Sequence, residues 1–152
     1  MDSKQINNIQ SITPIGWREW IYLPTYDDFP LKAKVDTGAR TSALHATEII
    51  EYDKGNNKWV SFILTQEENS TKIKTRLIEH KKIINSFGDT EIRPLIKLKI
   101  RLGKISWKTK VTLTTRNKMT YPMLLGRNSL LRKHLIYAHK SYLAGRMKNH
   151  NQ

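Results

Sequence analysis

Val35-Asp36-Thr37-Gly38-Ala39 follows Leu31-Lys32-Ala33-Lys34, where apolar and basic residues alternate as on a strand with one buried face. The strand then meets a carboxylate, a hydroxyl and a glycine in succession. Glycine lets the backbone turn tightly and come close to a ligand. A carboxylate held at such a turn can serve as a general base. An ordinary strand-to-turn corner uses the same residue types, because Asp and Gly are default turn residues. On Asp36-Thr37-Gly38 alone both readings stand open.

A second stretch bears on the choice. Met123-Leu124-Leu125-Gly126-Arg127-Asn128 is a short apolar run ending in Gly, followed by polar residues that could start a helix. With this pairing the chain resembles the retropepsin-like aspartic proteases. In that family a hydrophobic strand ends in Asp-Thr-Gly-Ala, and an apolar pair followed by Gly-Arg-Asn packs behind the catalytic loop. Ala33-Lys34-Val35-Asp36-Thr37-Gly38-Ala39-Arg40-Thr41-Ser42-Ala43-Leu44-His45-Ala46 and Val111-Thr112-Leu113-Thr114-Thr115-Arg116 resemble its bacterial RimB-type branch more specifically. That branch is often labelled "ATP-dependent zinc protease". The resemblance runs from about Ile15 to Gly145. It implies a mostly β fold, a retropepsin-like closed β-barrel corresponding to half of an acid protease, active as a two-fold homodimer.

The resemblance also implies an activity and a set of site residues. Aspartic proteases activate water between two carboxylates that share one proton, since like charges about 3 Å apart cannot both ionise. This chain has one Asp-Thr-Gly, so that chemistry requires a homodimer with Asp36 of each subunit at the axis. Asp36 is then the catalytic residue, Thr37 bonds to the partner loop and Gly38 lets the substrate backbone approach. Ala39, Arg40, Gly88 and Arg93 are the substrate-binding candidates, and Arg127 ties the following segment to the loop. Retroviral members place an acidic residue where this chain has Arg40. A guanidinium fork matches a carboxylate, which points to an acidic substrate; a structural ion pair is the other reading of Arg40. RimB-type members are linked to removing glutamates added to the tail of a small-subunit ribosomal protein. The expectation is therefore an aspartic peptidase, a hydrolase acting on glutamate-rich peptide tails. Two alternatives stand beside it: a non-catalytic basic module that binds RNA or the ribosome, and a general retropepsin-like endopeptidase.

Composition agrees with a basic single-domain protein. At 152 residues the chain can bury about 70% of its unfolded surface, enough for a core. Lys and Arg number 27 against 13 Asp and Glu, a net charge of +14. Such a field attracts anions, whether nucleic acid or an acidic polypeptide, and charge alone does not separate the two. No apolar run is long enough for a membrane-spanning helix, so no membrane partner is expected. The N-terminal stretch lacks the apolar segment of a signal peptide, and there is no cysteine; a cytoplasmic protein is the simplest reading.

Along the chain, residues 1–13 read as a flexible N-terminal segment, 14–144 as the retropepsin-like domain and 145–152 as a flexible basic tail. Gly16–Leu23 reads as a first strand, Trp59–Thr65 and Lys72–Glu79 as two strands around a polar loop, and Arg127–His134 as a short helix. Ile83–Pro94 reads as a hairpin with its tip at Ser86-Phe87-Gly88-Asp89; by resemblance this is the retropepsin flap. Leu95–Thr115 has the clearest pattern. Ile96, Leu98, Ile100 and Leu102 alternate with Lys97, Lys99 and Arg101, and after Gly103-Lys104 a second alternating strand follows. Its basic face could bind phosphates or an acidic chain, or simply be solvated and guard a sheet edge.

Other chemistries find little support. There is no His-Glu-x-x-His and no phosphate-binding Gly-x-x-x-x-Gly-Lys-Ser/Thr, so neither a metal nor any other cofactor is expected. The histidines are His45, His80, His134, His139 and His150; His134 and His139 are badly spaced to share a helix face. Ser42 and Ser129 have no recognisable triad partners.

Overall fold

The computed structural model describes residues 11–85, 87–115 and 120–146. Those residues form twelve strands and no α-helix. The strands are β1 (Thr13–Gly16), β2 (Arg18–Leu23), β3 (Phe29–Val35), β4 (Ser42–His45), β5 (Thr47–Lys54), β6 (Asn57–Gln66), β7 (Asn69–Arg76), β8 (Glu79–Ile84), β9 (Thr90–Leu102), β10 (Ile105–Thr114), β11 (Met123–Leu125) and β12 (His134–Tyr137). The main sheet runs β10-β4-β11-β3-β2-β9-β8, and β9 pairs with β10 as well. The path from β10 through β4, β11, β3, β2 and β9 therefore returns to β10. A three-stranded sheet, β5-β6-β7, and a parallel β1–β12 pair complete the molecule.

Alternation sets which faces are buried. In β9, Ile96, Leu98, Ile100 and Leu102 are buried while Lys97 and Lys99 are exposed. The expected tight turn at Gly103-Lys104 joins β9 to β10, with Leu102 opposite Ile105 and Gly103 at φ 61°. Alternation stops in β10 beyond Lys110: Val111 to Thr114 are all buried, because β4 pairs in parallel along them, Val111 against Ser42 through Thr114 against His45. Val60, Phe62 and Leu64 from β6, with Ile73 from β7, join the core contributed by β2, β3, β9 and β10. Each such side chain stabilises the fold by about 1.5–3 kcal/mol on burial.

Several local expectations are corrected. The first strand is interrupted at Trp17, whose N–H bonds to the Lys140 carbonyl at 3.0 Å and whose carbonyl accepts from Val35 at 2.9 Å. The polar loop after β6 shrinks to two residues, with Glu67 left-handed at φ 56°, while the buried Gln66 side chain accepts the Lys32 N–H at 2.7 Å. The expected helix at Arg127–His134 is only a single 3-10 turn, Arg127–Ser129. Asn128 and Ser129 spend their polar groups on β4 and β10, and the chain leaves extended at Leu130. His134 then starts β12, which pairs with β1. The Ile83–Pro94 hairpin forms as β8 and β9, Ile84 facing Thr90, though Ser86 of its tip lies outside the described residues. Most of the segments 1–13 and 145–152 also lie outside them; Thr13 begins β1, and Arg146 stacks on Trp20 at 4.4 Å.

The one wholly buried acidic group among the described residues, Glu19, accepts from the backbone N–H groups of Gly16, Leu143 and Ala144. A buried carboxylate is tolerated when its oxygens are satisfied in this way. It fastens the C-terminal segment to β2.

Candidate functional site

Strand β3 delivers Asp36 beside β11, and the Asp36 N–H bonds to the Leu125 carbonyl at 2.9 Å. The loop then folds on its own carboxylate: the Gly38 N–H donates to Asp36 Oδ1 at 3.1 Å, and the Ala39 N–H to the Asp36 carbonyl at 3.2 Å. This is the side-chain-to-backbone bond that lets Asp shape a turn. Asp36 is half-buried, whereas Thr37, Gly38 and Arg40 are exposed.

The second motif locks that loop from behind. Arg127 Nη1 donates to the Thr37 carbonyl at 2.8 Å, the Arg127 N–H to the Ala39 carbonyl at 2.9 Å and the Asn128 N–H to the Arg40 carbonyl at 3.0 Å. Gly126 is required by space: a Cβ there would lie 2.7 Å from the Thr41 carbonyl carbon and 3.0 Å from the Ala39 oxygen. The buried Ser42 hydroxyl accepts from the Gly126 N–H at 2.9 Å and meets both Asn128 Oδ1 and Ser129 Oγ. Ser129 continues to Thr109 at 2.6 Å, and Asn128 Nδ2 donates to the Lys110 carbonyl. Ser42, Asn128, Ser129 and Thr109 thus form a buried polar network. In the sequence they stand as isolated hydroxyls and amides, because the contacts join strands far apart in the chain.

Beside this loop lies an open cleft of about 1190 Å³. One wall is Gly38, Ala39, Arg40 and Thr41; the opposite wall is the hairpin, with Lys81 to Asn85, Phe87 and Arg93. Ala43, Leu124, Thr112 and Thr114 also line it. Among the described residues that line it, four are cationic and none is acidic. The hairpin is tied to the loop by Lys81 Nζ donating to Thr41 Oγ1 at 3.1 Å. Arg93 is held at 3.0 Å by Glu91. Ile84 and Phe87 are 74% and 84% exposed, so the hairpin carries an apolar tip. Of the expected site residues, Gly38, Ala39, Arg40 and Arg93 share the cleft. Asp36 and Thr37 are not among its lining residues, nor is Gly88, which takes φ 83° in the hairpin turn.

No group of three or more potential metal ligands occurs among the described residues. Three histidines have other partners: His80 bonds Glu51 at 2.6 Å, His134 Nδ1 accepts the Leu131 N–H at 3.1 Å, and the His139 ring packs on Tyr137. Burial, and then the neighbouring Lys133 charge, holds His134 below the usual histidine range. His45 Nδ1 is buried without a protein partner, and His150 lies outside the described residues.

Comparison with known proteins gives a family and a correction. Residues 14–146 match the RimB-like family, described as retropepsin-like aspartic endopeptidase RimB. A crystal structure of Lpg0085, a protein of unknown function from Legionella pneumophila, superposes with a TM-score of 0.73 at 26% identity, covering 87% of this chain and 98% of that one. Two curated relatives are each named "Probable alpha-L-glutamate ligase". The one from Shewanella pealeana is 38% identical over 135 residues, or 86% of this chain and 30% of the relative. The one from Parasynechococcus marenigrum is 34% identical over 138 residues, or 88% and 30%. The chain thus spans about 30% of the curated relatives' length. The expectation of an aspartic peptidase, with its hydrolase and protease labels and its removal of glutamate tails, is overturned by these names, which are those of ligases. The residues that carry the family's motifs are nonetheless those that build the loop and its lock, and the chain belongs to the RimB-like family.

Proposed function

We propose that this chain is a recognition module for acidic, glutamate-bearing polypeptide tails, working beside α-L-glutamate ligation. The observation that carries the reading is the cleft, with Arg40 on one wall, Lys81, Lys82 and Arg93 on the other, and no acidic residue in its lining. Exposed Arg40 offers a fork of donors to a carboxylate. Ala39 and Gly38 line the cleft beside it, and the Gly88 turn shapes the end of the hairpin that forms the other wall. The net charge of +14 steers an anionic chain toward the cleft. The names of the curated relatives supply the ligand class, because glutamate, the group they are named for, carries a carboxylate. In this reading Asp36 is structural, since its carboxylate holds the Gly38 N–H and so shapes the loop that presents Arg40.

The same proposal includes a closed barrel, supported by the return of the strand path to β10, and a two-fold homodimer. The dimer is supported by the exposed Thr37-Gly38 loop and by the exposed Ile84 and Phe87 at the hairpin tip. A cytoplasmic setting fits the absence of cysteine. The test is calorimetric titration with a peptide ending in several glutamates, against the same peptide ending in glutamines. Saturable, salt-sensitive binding of the first alone is expected. Equal binding of both, or of neither, would sink the reading.

A further inference from the structure

The outer face of the β9–β10 hairpin carries four exposed lysines in an arrangement that works against the fold's own stability. Lys99 lies directly opposite Lys108, and Lys97 directly opposite Lys110. Directly opposed residues stand about 5 Å apart at Cβ, where like charges destabilise the pair. Positions two apart on one strand are separated by about 6.7 Å. The four side chains therefore leave the ladder from the corners of a compact rectangle, and among the described residues none of them is ion-paired. Guarding an edge needs lysines on one strand; it gives no reason to double them across the ladder.

The rectangle is not isolated. A shallow groove of about 310 Å³ is lined by both Lys97 and Arg76. Arg76 ends the exposed row on β7 that includes Lys74. The basic surface thus continues from β10 across β9 to β7. None of these residues lines the cleft beside Arg40.

We infer that this surface binds the phosphate backbone of nucleic acid. Arrangement separates it from the cleft. The rectangle is an open face of lysines, compact point charges suited to phosphate oxygens, whereas the cleft is a concave site that mixes Arg40 and Arg93 with Lys81 and Lys82. Among the described residues of the two paired strands, no aromatic side chain shares the four-lysine face: Trp107 points to the other side and donates its indole N–H to the Ser129 carbonyl at 3.1 Å. Binding is therefore sequence-independent, and it falls steeply with salt as phosphate contacts release counterions.

The experiment is fluorescence anisotropy of a labelled mixed-sequence RNA strand with the full chain across a salt series. Wild type should give a linear dependence of log K on log salt. The double variant Lys97→Gln/Lys110→Gln should reduce that slope by about 1.4, two contacts at about 0.7 each for a single strand. Lys140→Gln, an exposed lysine outside the β9–β10 ladder and the β7 row, should leave it unchanged. Replacing all four lysines by Gln should abolish binding and melt at or above wild type, since repulsion is relieved; replacing all four by Arg should restore binding. Undiminished binding in the four-Gln variant would overturn the inference, as would its melting below wild type. It would equally fall if the four lysines governed capture of polyglutamate or of anionic vesicles but not of RNA.

Discussion

Asn128 Oδ1 accepts both the backbone N–H of Ser42, at 3.0 Å, and the Ser42 hydroxyl, at 2.9 Å. One side-chain oxygen thereby joins the start of β4, just past the Asp36 loop, to the turn after β11. The two motifs behave as one structural unit, and the position of Arg40 depends on it.

Breaking that unit should be costly. Ser42→Ala leaves the buried Gly126 N–H without its acceptor, a loss of about 1–3 kcal/mol. Asn128→Ala should cost a similar amount. Because the two residues share bonds, the double variant should lose clearly less than the sum. Denaturant unfolding of the three variants measures this coupling.

Gly126→Ala should destabilise by at least about 2 kcal/mol. The added methyl meets the Thr41 and Ala39 backbone, which has no flexible side-chain end to move aside. Gly55→Ala, at a turn with open space but φ 62°, should cost only the left-handed strain, about 1 kcal/mol. A comparison of melting temperatures separates crowding from strain.

His134 gives the fold a defined acid sensitivity. Its folded-state pKa is lowered below 6.5, so the unfolded chain binds the proton first as pH falls. Its contribution is intact above about pH 6.5 and is lost as pH drops through the lowered folded value. Protonation also removes the Nδ1 acceptor used by the Leu131 N–H. His134→Asn should flatten the decline of melting temperature below about pH 6.5 relative to wild type.

Asp36→Asn keeps an oxygen for the Gly38 N–H and removes a negative charge beside a cationic cleft. Affinity for a glutamate tail should hold or rise by up to about threefold, as expected for a partly exposed charge worth under about 1 kcal/mol. Weakened binding, read by calorimetry, would count against a purely structural role for Asp36.

The legible parts of the sequence are those with short-range signals. Alternation in Ile96 to Leu102, the Gly103 turn and the Leu31–Val35 strand are local patterns, and the paired Asp36 and Gly126-Arg127-Asn128 motifs point to the family. The Ser42–Asn128–Ser129–Thr109 network is not legible, because its bonds join two strands, β4 and β10, to the turn after β11. For the same reason Arg127–His134 reads as helix but does not form one: the polar groups that look like a helix start are spent on β4 and β10. The reaction departs from expectation for a different reason. A motif that builds a loop does not by itself specify what the loop does, and the ligase names of the relatives correct the peptidase expectation.

Amide chemical-shift mapping of the isotope-labelled full chain, titrated with a glutamate-ended peptide, tests the central claim most directly. Shifts are expected to concentrate at Gly38 to Thr41, at Lys81 to Asn85 and at Arg93, and to vanish with Arg40→Gln. Shifts confined to the β9–β10 lysines, or their persistence at the cleft without Arg40, would contradict it.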